Sequence, residues 1–439
     1  MVAPSGPRIA ARSPDTAPRA DYSGRLVPGS LLIVTHFYPP SGMVAARRPA
    51  GLAKYLRRLG YEVTVLTSCA WVDEPAGEDR AAGVVRSGDL MASRLNWRRE
   101  NMRAWTSGQA DYESGSSRLA QLIVPDTALI TWLPYLVPRG LRLARRRRFD
   151  CVITTSGPES VHLAGLALGR SAAWIADLRD GWGFETLHDW PTGLQGRLDR
   201  GLERLVARRA DLMTAVSEPL TADLRARLGA DAHTVTNGFD PDEVPARTGS
   251  STLLDPARRS LVHTGRMASS QRSPAPLLDA LRMLRDRGAA ERLELVFAGP
   301  LTSGERRLLE APDLAGVVRH VGNLERAEAL RLQREADGLL LLTAGTRRGE
   351  ATGKLFEYLG AERPVLVLGE DSEAARIVRD AGAGLAAPSA DPEAIAAALE
   401  RLPQRVPDAA PRAYSYPELA RRFAELIELA RERARNRIR

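Results

Sequence analysis

The sequence of 439 residues is poor in cysteine, lysine, aromatic residues and long apolar runs. Cys69 and Cys151 are too few for a disulfide framework and lack the spacing of a metal site, which favours a reducing cytoplasm. No run of about 18 apolar residues occurs, so no membrane-spanning helix is predicted. Aromatic residues form only 5% of the chain and the arginines are dispersed, which disfavours a surface that stacks nucleic-acid bases.

Arginine, by contrast, is in excess. Lys54 and Lys354 are the only lysines among 62 basic residues, and the net charge of +8 favours anionic partners. Residues 128–149 mix apolar residues, prolines and a run of four arginines. We interpret this segment as a packed helix with a solvated end. The alternative is a peripheral contact with anionic lipid on the inner face of the membrane.

The apolar pattern predicts an α/β protein with two doubly wound, Rossmann-like domains that face a cleft. Residues 1–29 are predicted to form a disordered leader. Short buried strands alternate with amphipathic helices over 30–240 and again over 260–415. Between them, 241–259 has three prolines and little periodicity, which is typical of a hinge linker. The last helix, within 416–439, has an apolar face that could pack back on the amino-terminal domain.

The stretch "ATGKLFEYLG" (351–360) predicts a loop that enters a helix at Lys354. The first N–H groups of a helix have no partner within it, and the helix dipole also favours an anion there. Gly353 allows close approach to the backbone, and Glu357 lies one turn further on, where it could accept hydrogen bonds from two sugar hydroxyls. This pattern favours a diphosphate–ribose site. The alternative is an ordinary capped helix with solvated charges.

Seven segments add a resemblance to a known family. They are "IVTHFYPPSGMVAARR", "GYEVTVLT", "TTSGPESVHLAG", "IADLRDGW", "TAVSEPL" with "VTNGFD", "LVHTGR" and "KLFEYLGAERPV". In this order they resemble the retaining glycosyltransferases of family four, which have the GT-B fold. The resemblance extends from about residue 31 to residue 400. The resemblance implies transfer of a sugar from a nucleotide-diphospho-sugar to a hydroxyl of a glycan, a lipid-linked acceptor or a small molecule. It points to envelope polysaccharide or natural-product glycoside synthesis.

The resemblance also implies roles for individual residues of the carboxy-terminal, donor-binding domain. Arg266 and Arg272 would clamp the donor diphosphate, with arginine at the second position where the family usually has lysine. The first glutamate of the family's paired motif would fall at Gly349. Either the loop shifts by one residue and the neighbouring Glu350 takes the catalytic role, or this role is lost. The remaining donor-binding candidates are Gly42 of the amino-terminal domain and Gly265, Gly299, Asn323, Thr352, Gly353, Lys354 and Glu357.

On the acceptor side, four candidates follow strand ends: Ser156, Asp177, Arg179 and Asp180. For the charged residues Asp177, Arg179 and Asp180, the alternative to acceptor binding is ion pairing within the loop. Many family members have a histidine where Ser156 stands, and His162 comes six residues later. It is either a catalytic substitute or a structural histidine.

No cofactor and no metal ion are expected. The six histidines show no metal-ligand spacing, and no Asp-x-Asp pair is expected to hold a divalent ion against the diphosphate. The leaving phosphate itself is expected to take the acceptor's proton. Two other functions stay open: a non-hydrolysing sugar-nucleotide 2-epimerase, which would need acid and base carboxylates, and, least favoured, a basic nucleic-acid-binding protein without catalysis.

Overall fold

The computed structural model describes residues 29–72, 76–90, 122–185, 190–247, 251–267, 273–343, 347–404, 406 and 411–438. Arg272 and almost all of the predicted leader lie outside these ranges. The described chain forms two sheets of mainly parallel strands with helices packed on their faces. The predicted α/β class and the two Rossmann-like units are therefore confirmed.

The first sheet has eight strands in the order β3-β4-β2-β1-β5-β6-β7-β8, and only the β3–β4 pair is antiparallel. The strands are β1 (Ser30–Thr35), β2 (Glu62–Ser68), β3 (Gly77–Asp79), β4 (Val84–Ser87), β5 (Cys151–Thr155), β6 (Ala173–Leu178), β7 (Leu212–Ala215) and β8 (Ala232–Thr234). The helices of this half are α1 (Arg47–Arg58), α2 (Ala128–Thr131), α3 (Leu133–Arg146), α4 (Val161–Leu168), α5 (Gly193–Arg209) and α6 (Glu218–Leu228).

The second sheet has six parallel strands in the order β11-β10-β9-β12-β13-β14. The strands are β9 (Arg259–Thr264), β10 (Leu293–Ala298), β11 (Val318–His320), β12 (Gly338–Leu342), β13 (Val365–Leu368) and β14 (Gly384–Ala387). The helices that follow them are α7 (Ala275–Asp286), α8 (Ser303–Leu309), α9 (Arg326–Glu335), α10 (Gly353–Gly360), α11 (Glu373–Asp380) and α12 (Pro392–Arg401).

The final helix, α13 (Tyr416–Ile438), packs against the first sheet although it follows the second in the chain. Phe423 and Ile427 are fully buried and share a core with Leu31 and Ile33 of β1. The helix begins beside the end of β8, because Tyr416 N donates to the carbonyl of Phe239. The chain therefore passes between the two halves twice, and both crossings meet at one end of the cleft.

The strand order reverses once in each sheet, between β1 and β5 and between β9 and β12. Loops at the carboxyl ends of these strands diverge there and leave a crevice, which is where ligands bind in doubly wound sheets. The order therefore places the loop after β1 beside the crevice of the first sheet and the loop after β12 beside the crevice of the second.

Two features differ from the sequence-based expectation. The hairpin β3–β4 is absent from the prediction because its first strand, "GED", is polar and its second has only four residues. The predicted helix of 128–149 is interrupted at Trp132, whose backbone has a φ of −119°. The fully buried Trp132 side chain donates its Nε1–H to Ser87 Oγ, which places the break at a packing contact.

Candidate active site

A pocket of about 650 Å³ lies between the two halves, at both points where strand order reverses. It is lined by the loop after β1, the amino end of α1, the loops after β6 and β8, and the facing sides of α9 and α10. Six residues predicted from the sequence line it: Gly42, Arg179, Asp180, Thr352, Gly353 and Glu357.

The amino end of α10 opens directly into this pocket. Thr352 occupies the N-cap position, but its hydroxyl makes no capping bond. The Thr352 Oγ1 atom is buried and has no hydrogen-bond partner among the residues that the structure describes. Opposite it, Val44 of the loop after β1 would lie 3.5 Å from a β-carbon at Gly353. The two halves therefore approach closely at this helix end. The unsatisfied hydroxyl of Thr352 lies beside the positive end of the helix dipole.

Lys354 joins this helix end to the end of β9. Its Nζ donates to the Arg266 carbonyl and lies 3.3 Å from His263 Nε2. Burial lowers the pKa of the Arg266 guanidinium, which lies at the same strand end. The structure therefore brings Lys354 to the backbone of Arg266 at the end of β9, although neither residue is among those that line the pocket.

Two features favour glycine at position 265. Its φ is +81°, and a β-carbon there would lie 3.1 Å from Lys354 Cε. Gly299, at the end of β10, has a φ of +141° and its β-carbon would lie 2.7 Å from the Gly265 carbonyl oxygen. The predicted glycines thus allow two strand ends and one lysine to pack together. Asn323 is exposed beyond β11 and is not among the residues that line the pocket.

Glu357 points into the pocket and is held by two arginines that the sequence did not single out. Its Oε1 pairs with Arg47 of α1 and lies 2.9 Å from Arg326 Nη1 of α9. Burial and the neighbouring Arg326 lower the pKa of Arg47 to about 10. The Oε2 atom of Glu357 accepts no hydrogen bond from any described residue. One carboxylate oxygen therefore orients the side chain, and the other can accept a ligand hydroxyl.

Asp177 does not line the pocket, because it is fully buried beneath it. Its carboxylate accepts hydrogen bonds from Arg48 Nε at 2.9 Å and Nη2 at 2.7 Å, and from the hydroxyls of Thr155 and Thr214 at 2.7 Å each. Burial opposes ionisation of Asp177, but Arg48 and the two hydroxyls keep the pKa of the carboxyl below its usual value. Asp177 therefore has a structural role, because it neutralises a buried arginine.

Arg179 and Ser156 form a backbone brace at the pocket wall. The Arg179 guanidinium donates to the carbonyls of Ser156, Gly157 and Ala45, the last at 2.6 Å. Ser156 is buried, and its Oγ accepts the Arg179 N–H at 3.2 Å. Arg179 and Ser156, both predicted to bind the acceptor substrate, therefore connect the loops after β1, β5 and β6. The guanidinium donors of Arg179 are directed at protein carbonyls.

His162 is fully buried on α4 and is not among the lining residues of the pocket. Its Nδ1 lies 2.9 Å from Thr154 Oγ1, and its ring stacks on Trp182. Burial lowers its pKa to about 4, so the ring is neutral at physiological pH. Because the ring is enclosed, the structural interpretation of His162 fits better than the catalytic one.

Two acidic residues follow strand ends of the first sheet, Asp180 after β6 and Glu159 after β5. Asp180 is exposed, lines the pocket and accepts no hydrogen bond from the described residues. Glu159, in the loop after β5, has its pKa raised to about 7 by burial and by the nearby charge of Asp126. Sequence reasoning missed Glu159, since its spacing alone carries no sign of burial.

The position of the family's first motif glutamate is already filled. A β-carbon at Gly349 would lie 2.9 Å from Phe184 Cε1. The carboxylate of Glu185, from the other half of the protein, accepts the N–H groups of Arg348 at 2.8 Å and Gly349 at 3.0 Å. The backbone carbonyl of Glu350 accepts Ala374 N, and Glu350 is not among the residues that line the pocket.

The sequence contains one Asp-x-Asp spacing, at Asp240 and Asp242. Lys54 Nζ lies 2.7 Å from a carboxylate oxygen of each, and Arg58 also pairs with Asp242. Both carboxylates therefore already have cationic partners. Among the described residues, no group of three or more His, Cys, Asp or Glu side chains could hold a metal ion.

Comparison with known families matches two models that together cover most of the chain. A glycosyl transferase 4-like domain matches residues 45–238, and a glycosyl transferases group 1 domain matches residues 258–405. The chain belongs to the family-four glycosyltransferases. It is an enzyme that transfers a sugar, and the resemblance to the glycosyltransferases of family four is confirmed. No curated protein matches the chain by sequence.

Solved structures with the same fold cover nearly the whole chain at low identity. Sucrose-phosphate synthase from Thermosynechococcus elongatus is 15% identical, with a TM-score of 0.60 over 93% of this chain and 94% of that one. A UDP-forming α,α-trehalose-phosphate synthase from Burkholderia xenovorans, in complex with glucose-6-phosphate, is 15% identical, with a TM-score of 0.61 over 91% and 100%. A putative UDP-N-acetylglucosamine 2-epimerase from Listeria monocytogenes is 14% identical, with a TM-score of 0.53 over 91% and 95%. These similarities confirm the GT-B architecture.

Proposed function

We propose that this enzyme transfers a sugar from a nucleotide-diphospho-sugar to an acceptor hydroxyl, with retention of the donor's anomeric configuration. One observation carries the proposal: the amino end of α10, Lys354 and the Arg266 end of β9 meet where the second sheet reverses its strand order. A helix amino end with two cationic side chains suits a doubly charged diphosphate.

The same groups suit the chemistry of the leaving group. Negative charge grows on the diphosphate as the sugar departs, and donors fixed in advance stabilise that charge without reorganisation. Lys354, Arg266 and the helix end would do the work that a divalent ion does in metal-dependent transferases. The departing phosphate would accept the acceptor's proton, so that no side chain of the protein is needed as base.

Glu357 would recognise the nucleotide ribose. Arg47 and Arg326 hold its Oε1, which leaves Oε2 to accept a ribose hydroxyl within the pocket. On the acceptor side, the exposed carboxylate of Asp180 is the best placed group to orient an acceptor hydroxyl. The acceptor classes stay those that the family resemblance implies, within envelope polysaccharide or natural-product glycoside synthesis. A reducing compartment suits the chain, because neither of its two cysteines forms a disulfide.

A sugar-nucleotide 2-epimerase is the second candidate, because such enzymes share the fold and need acid and base carboxyl groups. Glu159, with its raised pKa, is the observation in its favour. Glu159 is not among the residues that line the pocket.

One experiment separates these functions. Each common nucleotide sugar is incubated with the protein, with and without a mixture of hydroxyl acceptors, and the products are read by mass spectrometry and NMR. Transfer predicts a glycoside with the donor's configuration, formed equally in EDTA, only when acceptor is present. A new nucleotide sugar formed without acceptor would favour the epimerase. An inverted glycoside, or one formed only with added metal, would contradict the proposed mechanism.

A matched pair of variants tests the ribose assignment. Glu357→Gln should weaken binding of the donor nucleotide about tenfold or more, since hydrogen bonds to a charged group contribute about 1.5–3 kcal/mol. Glu362→Gln is the control, because this glutamate pairs with Arg334 just beyond α10 and is not among the pocket-lining residues. Equal affinities for the two variants would remove Glu357 from the site.

A further inference from the structure

A second pocket, of about 320 Å³, opens on the amino-terminal half between β4 and α3. Its walls include three arginines, Arg86, Arg139 and Arg142, and the ring of Tyr135 at its rim. No acidic side chain is among its described lining residues. The described walls of this pocket therefore contribute cationic but no anionic side chains, and the pocket lies outside the proposed donor site.

Two of these arginines have no partner in the part of the chain that the structure describes. Arg139 and Arg142 are one turn apart on α3, so both face the same side of the helix. Neither makes an ion pair or a side-chain hydrogen bond with any described residue, and Arg139 Nε is buried. Arg147, just beyond the same helix, instead lies near Glu62 and Glu78. A buried donor without an acceptor is destabilising, and such groups call for a specific explanation.

The third arginine connects this pocket to the active site. Arg86 is buried, and its Nη2 donates to the Pro39 carbonyl at 2.8 Å. Pro39 lines the large pocket between the two halves. A group bound against Arg86 would thus be separated from the acceptor side of the active site by a single loop.

We propose that this second pocket binds a phosphate or diphosphate group. Guanidinium groups present planar pairs of N–H donors that match phosphate oxygens, and an arginine cluster without carboxylates is the usual arrangement for this anion. The volume admits a diphosphate, and Tyr135 offers an additional hydroxyl and an apolar ring face at the rim. The phosphate can be carried by a soluble molecule or by a lipid headgroup, and both present the same chemistry to the arginines. This inference does not depend on the identity of the donor.

The test uses inorganic pyrophosphate and the full chain. Calorimetric titrations are made in a Lys354→Met background, which suppresses binding at the donor site. Arg139→Gln/Arg142→Gln removes the two unpartnered guanidiniums, and Arg145→Gln/Arg146→Gln is the control. The control removes the same charge from exposed positions of the same helix that are not among the pocket-lining residues. A parallel arm measures sedimentation with vesicles of phosphatidylglycerol or phosphatidylcholine.

We expect the pocket variant to bind pyrophosphate at least tenfold more weakly and the control to change less than twofold. Binding of both pyrophosphate and phosphatidylglycerol vesicles that depends on Arg139 and Arg142 would support the site with either source. If only the binding of phosphatidylglycerol vesicles depends on Arg139 and Arg142, the pocket is assigned to a lipid headgroup. Equal losses of binding in the two double variants would indicate a diffuse effect of surface charge and would overturn the proposal. A pocket variant that binds pyrophosphate and vesicles as tightly as the parent would overturn it too.

Discussion

Replacing Asp177 by asparagine tests the structural role that we assign to this buried carboxylate. In the native protein four hydrogen bonds converge on it, two from the buried Arg48. Arg48 also donates to the carbonyls of Val235 and Thr236, which lead into the pocket. Asparagine keeps one acceptor oxygen but turns an N–H₂ group toward donors, so Arg48 stays buried without its counter-charge.

The size of the effect follows from that loss. Removing one partner of a buried ion pair costs about 3–5 kcal/mol, because the remaining charge cannot reach water. Since asparagine retains one acceptor, we expect about 3 kcal/mol. With a urea dependence of about 2 kcal/mol per molar, the unfolding midpoint should fall by roughly 1.5 M.

Tryptophan fluorescence measures this change in the correct half of the protein. All seven tryptophans, of which Trp190 is the last, precede the second sheet. The control is Asp180→Asn, whose side chain is exposed three residues away and should move the midpoint by less than about 0.3 M. The difference between wild type and Asp177→Asn should persist at pH 5. It should shrink only as the pH falls below the usual aspartate pKa of about 4, because the folded-state pKa is lowered. Matching midpoints for Asp177→Asn and wild type would refute the assignment.

Two further predictions concern one glycine and one carboxyl group. Gly265→Ala should weaken nucleotide binding at least about fivefold in calorimetry, because the new methyl group would crowd Lys354. The control is Gly288→Ala: Gly288 has a similar φ of +72° but open space around it, so this variant should bind the nucleotide as wild type does. Glu159→Gln should remove a pH dependence of the free energy of unfolding. Because the pKa of Glu159 is raised to about 7, the wild type should lose up to about 3 kcal/mol of stability as the pH rises from 5 to 8, whereas the variant should not. Parallel pH profiles of the urea midpoint for wild type and Glu159→Gln would contradict this.

The sequence predicted those parts of the molecule that depend on local pattern. Short apolar runs gave most of the strands, and α10 begins one residue before Lys354, at Gly353. The residue pattern predicted that Lys354 lies in the first turn of a helix, and the structure has it there. Tertiary contacts carried no such signal: Arg47 and Arg48 are two of sixty arginines until folding brings them to Glu357 and Asp177.

Burial explains the remaining differences. An aspartate just after a strand can face the cleft or the core, and the sequence "DLRD" does not distinguish Asp177, which is buried, from Asp180, which is exposed. Likewise, Gly349 looked like a lost glutamate, whereas its side-chain space is occupied by Phe184 and Glu185 from the other half.

The central claim is that a nucleotide diphosphate binds where α10, Lys354 and Arg266 meet. The most direct measurement is a calorimetric titration of wild type and Lys354→Met with UDP, GDP, ADP, CDP and dTDP. We predict that at least one of them binds wild type and that Lys354→Met weakens this binding tenfold or more, as expected for loss of a charge-assisted hydrogen bond of about 1.5–3 kcal/mol. If no nucleoside diphosphate binds, or if Lys354→Met binds as tightly as wild type, the donor site is not at this helix end.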